Sequence, residues 1–132
     1  SKEIVFGVMV LDINYLKETN DRYGHDVGNK LIVSAAHIIS SVFRRSPVFR
    51  IGGDEFAVIL QNRDLEDLEG LLKKFDEECQ NESIATDKEN IPVSIAKGFA
   101  RYDSKKDSNF IDVFNRADDA MYENKREIKG LK

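Results

Sequence analysis

The chain of 132 residues contains a single cysteine, Cys79, two prolines and no apolar run of membrane-spanning length. One thiol excludes an intrachain disulfide and suits a reducing compartment, and Cys79 itself reads as a small buried hydrophobe. The opening apolar run from Ile4 to Leu11 is interrupted by Gly7 and followed by Asp12, far short of the roughly 20 residues a bilayer-crossing helix needs. The expectation is a soluble, cytoplasmic domain without membrane contact. Basic excess is missing too. With 20 Lys+Arg against 24 Asp+Glu and a net charge of −4, no extended nucleic-acid footprint is expected, whereas a small phosphorylated ligand needs only a local basic cluster. Repeats and low-complexity tracts are absent, and Pro47 and Pro92 fall at the expected entries to strands, where a missing N–H is tolerated. A chain of this size holds one domain that buries roughly two thirds of its unfolded surface.

Periodicity places the elements. The run Ile4 to Leu11 reads as a strand buried on both faces and ending at Asp12. Tyr15 to Tyr23 is polar and short, a brief helix stopped by Gly24. Leu31, Ala35, Ile38, Ile39, Val42 and Phe43 recur at helical spacing and predict an amphipathic helix over about 27–44, with Asp26 or Asn29 as its cap. Strands follow near 48–51 and 56–60. Asp64 then opens a helix with a buried stripe of Leu65, Leu68, Leu71, Leu72, Phe75 and Cys79 and a charged outer face. A polar loop, Asn81 to Asn90, leads to a strand starting at Val93 and extending toward Phe99. Asp103 to Ser108 is a turn, and a last helix runs from Phe110 to about Lys129. The order contains βαββαβ, which predicts an α+β, ferredoxin-like sheet, mainly antiparallel, with helices on one face and the first strand and hairpin at its centre.

The segment Gly52-Gly53-Asp54-Glu55, set between two apolar runs, reads as a tight hairpin whose glycines supply positive φ. Adjacent carboxylates at a hairpin tip repel one another unless a hard divalent cation shares them. The plain alternative is a glycine-rich turn with solvated acids. If the first strand pairs with the hairpin, Asp12 and Asp54 converge on one ion, the arrangement metal-assisted phosphoryl transfer needs. Otherwise Asp12 caps the helix that follows. On their own, Lys17 is a surface charge, Asn20-Asp21 a turn and His25 a structural residue.

Two motifs in this order, Asp12-Ile13-Asn14-Tyr15-Leu16-Lys17-Glu18-Thr19-Asn20 through Gly28 and Arg50-Ile51-Gly52-Gly53-Asp54-Glu55-Phe56, resemble the GGDEF-domain diguanylate cyclases over nearly the whole chain. The resemblance implies the palm-like fold of nucleotidyl cyclases. It implies condensation of two GTP into cyclic di-GMP and pyrophosphate by attack of a 3′-hydroxyl on an α-phosphate. Mg²⁺ (or Mn²⁺) would be held by Asp12, Asp54 and the Ile13 carbonyl, with Asp54 and Glu55 catalytic and Glu55 acting through a second metal. The N–H groups of Tyr15 and Leu16, Lys17 and Lys125 would bind the triphosphate, with Lys129 a weaker stand-in for a phosphate arginine, and Gly52 and Gly53 would be substrate-binding. Asn20 would read guanine. Each domain would hold one GTP, so catalysis needs a homodimer, transient or assembled through a domain not present here.

Departures from the family pattern accompany the match. Gly28-Asn29 stands where Gly-Asp is usual, so a carboxylate facing guanine becomes an amide. Asn14 replaces a common aspartate and Leu16 a common phenylalanine. The Arg-x-x-Asp pair of the product-inhibition site, due at Phe43 and Ser46, is absent. A leading helix and a closing strand usual in the family are not visible, so the chain reads as a single GGDEF domain over 1–132 without them. The alternative is a degenerate member acting as a nucleotide-binding or protein-interaction sensor module, or a cyclase with relaxed base specificity.

Overall fold

The computed structural model describes residues 3–130. In chain order the elements are β1 (Gly7–Ile13), α1 (Leu16–Tyr23), α2 (His25–Val42), β2 (Val48–Arg50), β3 (Glu55–Leu60), α3 (Asn62–Glu66), α4 (Leu68–Asn81), β4 (Ser83–Ala85), β5 (Asn90–Pro92), β6 (Ile95–Arg101) and α5 (Phe110–Ile128). A four-stranded sheet of order β2-β3-β1-β6 forms the centre, with every pairing antiparallel. This is the expected α+β fold with β1 and the hairpin at its middle. All of β1 is buried, as a strand covered on both faces must be.

Alternation along β1 sends its side chains to two separate cores. Met9, Leu11 and Ile13 pack with Leu31, Ile39 and Phe43 near α2 and with Phe75 of α4. Val8 and Val10 pack instead with Ala96 and Ala100 of β6 and with Val113, Ala117 and Met121 of α5. The helices therefore do not share one face. The helices of the two crossovers do, but α5 follows the motif and covers the opposite side, because its own stripe of Val113, Ala117 and Met121 needs burial that the first face no longer offers.

Other boundaries shift for local reasons. β1 begins at Gly7, leaving Ile4 and Val5 exposed, and continues through Asp12, which lies inside the strand. α2 starts at His25 after Gly24, whose φ of 93° turns the chain between α1 and α2, so neither Asp26 nor Asn29 caps it. Asp64 opens no helix: it is buried within α3 and accepts a 2.5 Å hydrogen bond from the Ser46 hydroxyl, and the chain breaks at Asp67 before α4. The polar loop over Asn81 to Asn90 holds strand β4 and the start of β5, which form their own two-stranded sheet, and Pro92 closes β5. At its turn, Glu89 takes the Tyr23 hydroxyl and pairs with Arg22 at 3.2 Å, tying this hairpin to α1.

Between β6 and α5 main chain meets main chain. A Cβ at Gly98 would sit 2.0 Å from the Met121 nitrogen and 2.4 Å from the Ala117 carbonyl oxygen, both main-chain atoms. Nothing flexible yields there. Gly98→Ala is expected to destabilise the fold by about 3 kcal/mol, the upper range of overpacking, measured as a lower denaturant midpoint with an unchanged slope.

Candidate functional site

The β1–β3 register builds the site. Asp12 stands opposite Glu55, and the Ile13 N–H donates to the Asp54 carbonyl at 2.8 Å. An antiparallel hydrogen-bonded pair exchanges two bonds. Here the return bond from the Asp54 N–H is not made, so the Ile13 carbonyl has no partner on the hairpin side among the described residues. Asp12 is buried; its Oδ2 lies 3.2 Å from the Lys125 ammonium, while Oδ1 has no hydrogen-bond partner among the described residues. Burial is the chief cause that raises the Asp12 pKa; Lys125 opposes it, and the Asp54 carboxyl beside it adds to it. Glu55 is likewise raised, first by burial and then by Asp118, Asp12 and Asp54. A buried carboxylate oxygen left without a donor is costly, and a cluster of acids around it adds repulsion.

These residues fit a divalent cation. Asp12 Oδ1, the open Ile13 carbonyl and the Asp54 carboxylate are hard oxygen donors within one strand pairing. Among the described residues no group of three or more His, Cys, Asp or Glu makes a self-contained cage. Mg²⁺ seldom needs one, since it is commonly held by one or two carboxylates together with substrate phosphates.

Two further elements converge on the same point. Tyr15 adopts the left-handed conformation, φ 65°, between β1 and α1. A non-glycine residue there costs on the order of 1–2 kcal/mol. The Thr19 hydroxyl and N–H both bond the Tyr15 carbonyl, at 2.7 and 2.9 Å, and so hold the bend. Asn14 secures its other side by donating from its backbone to the Ser94 carbonyl at 2.8 Å and from its side chain to the Ser94 hydroxyl at 3.0 Å. Asp12 is thus no helix cap, and α1 opens with the N–H groups of its first turn free of side-chain caps. From the far end of α5, Lys125 reaches Asp12, and the Lys129 ammonium stands 5.2 Å from the centre of the Tyr15 ring. Lys17 is exposed on α1.

Asn20 and Asn29 lie where α1 meets α2. The Asn20 amide rests so close on Gly28 that a Cβ there would come within 1.6 Å of its Oδ1. Asn29 is exposed and lies well inside α2. Contrary to the expectation for a tight hairpin, neither Gly52 nor Gly53 has positive φ. Nor does space demand glycine: a Cβ at Gly52 would make an ordinary 3.6 Å contact with that of Glu55, and one at Gly53 would meet nothing within 4 Å. The turn thus leaves room on its outside. At the product-inhibition positions Phe43 is buried in the core and Ser46 is spent on Asp64. A concavity of about 800 Å³, lined by Val5, Arg101 and Lys105 among others, lies at the opposite end of β1 from the carboxylates. Sequence reasoning missed Asp118 and Ser94 and the structural roles of Asn14 and Thr19, since these depend on contacts made in the fold and no local pattern marks them.

A family model described as the diguanylate cyclase GGDEF domain matches residues 1–130. Diguanylate cyclase A of Treponema denticola is 31% identical over 126 residues, covering 95% of this chain and 34% of that protein. The probable diguanylate cyclase DgcF of Escherichia coli K12 is 32% identical over 127 residues, 91% of this chain and 39% of its own. The chain therefore spans little more than a third of these relatives. Among solved structures, the GGDEF domain of Pseudomonas aeruginosa YfiN (TpbB) superposes with a TM-score of 0.81 at 31% identity, covering 93% of this chain and 72% of that one. The GGDEF domain of Caulobacter crescentus DgcB, solved with c-di-GMP, gives 0.80 at 27% identity, covering 93% and 73%.

The raised carboxylates set a pH dependence. An acid whose folded pKa exceeds its unfolded value subtracts stability once ionised, so the cost begins as pH rises past the ordinary values of 3.8 for Asp12 and 4.5 for Glu55 and is complete above their folded values. Cation binding relieves that cost and requires the ionised forms. The gain in melting temperature on adding Mg²⁺ is expected to be small at about pH 5 and to grow toward pH 7.5, and Asp12→Asn should flatten the trend in a thermal-shift series.

Proposed function

Since the chain belongs to the GGDEF family of diguanylate cyclase domains, we propose that it joins two GTP into cyclic di-GMP with release of pyrophosphate, in the cytoplasm. The observation that carries this reading is the Oδ1 of buried Asp12, without a partner among the described residues, beside Asp54 and the open Ile13 carbonyl, with the other oxygen of Asp12 3.2 Å from Lys125 of α5. When bound there, Mg²⁺ or Mn²⁺ supplies charge neutralisation at the phosphates and makes a 3′-hydroxyl more acidic.

The chain's own groups do the rest. Asp12 and Asp54 present the hard oxygens, and Glu55 adds a carboxylate at the same sheet level. The bend at Tyr15 aims the first N–H groups of α1 outward, where phosphate oxygens find donors and the positive end of a helix dipole. Lys17, Lys125 and Lys129 neutralise the triphosphate. Lys125 is held against Asp12, so a nucleotide entering with its own cation gives both charges a new partner. Asn20, set on Gly28, meets the base, and Gly52 and Gly53 leave room for the phosphates. One site of this kind holds one nucleotide while the product contains two, so two copies of the domain must face each other.

Asn29 favours a second reading on base choice. It is not needed as a helix cap, so a capping role does not account for it. An aspartate accepts from both N1–H and N2–H₂ of guanine, whereas an asparagine offers one accepting oxygen, so discrimination against ATP weakens.

Incubation with Mg²⁺ and GTP, ATP or both, read by mass spectrometry, is expected to give cyclic di-GMP from GTP. Its complete absence at any protein concentration would point to the sensor-module alternative. Asp54→Asn should lower turnover about a hundredfold or more, with a metal-free melting temperature close to that of the parent chain.

The ratio of GTP to ATP affinity tests the base contact. Asn29→Asp should shift it toward GTP by about tenfold to a hundredfold, the worth of a charge-assisted hydrogen bond. An unmoved ratio would remove Asn29 from the base site.

A further inference from the structure

Arg50, the last residue of β2, folds its guanidinium back over the hairpin turn. Its Nε donates to the Gly52 carbonyl at 3.2 Å and its Nη2 to the Gly53 carbonyl at 2.7 Å. Both following peptide bonds are trans, and in a planar trans peptide the C=O and the next N–H point in opposite directions. Drawing the two carbonyls toward Arg50 therefore turns the N–H groups of Gly53 and Asp54 to the other side of the turn. Neither N–H has a hydrogen-bond partner among the described residues. Successive main-chain N–H groups facing one way form a concavity suited to an anion, and no side chain overhangs this one, because the space a Cβ would occupy at Gly53 is open.

We propose that Arg50 is a positioning residue for phosphoryl transfer: by gripping the carbonyls of Gly52 and Gly53 it aims the N–H groups of Gly53 and Asp54 at a phosphate oxygen of the bound nucleotide. It does so without touching the nucleotide. The identity of the anion rests on the cyclase reading above; the orientation of the two peptides does not. Glycine by itself leaves such a turn conformationally loose. The guanidinium removes that freedom with two bonds in one rigid fork, which the single ammonium of lysine lacks. The backbone of Asp54 is fixed on its other side by the bond from Ile13, so the grip also settles where the Asp54 carboxylate stands.

The test uses the whole chain, isotope-labelled so that the amide resonances of Gly53 and Asp54 are resolved, with Mg²⁺ and the α,β-methylene analogue of GTP as probe. In the parent chain both resonances are expected to move on binding. In Arg50→Ala the movement should be lost, kcat should fall about tenfold to a hundredfold with a much smaller change in KM, and added ethylguanidinium should restore part of the rate. Arg50→Lys keeps the charge and the fold and should fall between the two. Equal amide responses in the parent and both variants, or a parent-like kcat in Arg50→Ala, would overturn the assignment. So would a parent chain in which the probe binds and these two amides stay still, even with cyclic di-GMP synthesis intact. If the parent binds the probe but makes no product, the cyclase reading fails while the amide comparison still decides the role of Arg50.

Discussion

Asp12 is a carboxylate inside a central strand, and much of the molecule is arranged around that burden. A charge in such a place is tolerated only when paired or shared with a cation. The strand order supplies the hairpin acids on one side of β1, and α5 supplies Lys125 from above. The pairing is incomplete, because one oxygen of Asp12 keeps no donor and its pKa stays raised in spite of the lysine. Such a cost is typical of groups held ready for a ligand.

The same economy appears around Tyr15 and at the Gly52–Gly53 turn. A left-handed tyrosine, secured by Thr19 behind and by the Asn14–Ser94 bonds in front, bends the chain between β1, which carries Asp12, and α1. At the hairpin, glycines that neither φ nor packing requires leave main-chain donors open to the outside. On the proposed reading both features prepare for phosphate.

Much of this was readable from residues alone, for a physical reason. Continuous burial of β1, the helical stripes of α2, α4 and α5, and the hairpin are signals of local periodicity, so they survived into the fold. Asp12 and Asp54 came together because strand pairing follows from topology. What sequence could not supply were facts about direction and depth. The side of the sheet taken by α5 depends on which face is already covered. The short β4–β5 hairpin hides within polar residues, since its stability comes from packing of Ile84 and Ile91 and from Glu89 holding α1. Positive φ was expected at Gly52 and Gly53 from composition, yet the described residues that adopt it are Tyr15, Gly24, Asn62 and Gly130. Asp118 acts on Glu55 across space, and no spacing along α5 announces that.

The contact between Gly98 and α5 bears on how such a domain can change over time. A strand and a helix meet there main chain to main chain, with no side chain acting as spacer. The separation between β6 and α5 is thus set by atoms that every sequence shares. Lys125 lies one turn beyond that contact and Asp12 lies directly across from Ala96, two residues along β6 from Gly98. Substitutions elsewhere in either core can accumulate without altering the distance between that lysine and that carboxylate. A replacement of Gly98 would reset the dimensions of the charged centre directly, since any added Cβ meets the main chain of the helix.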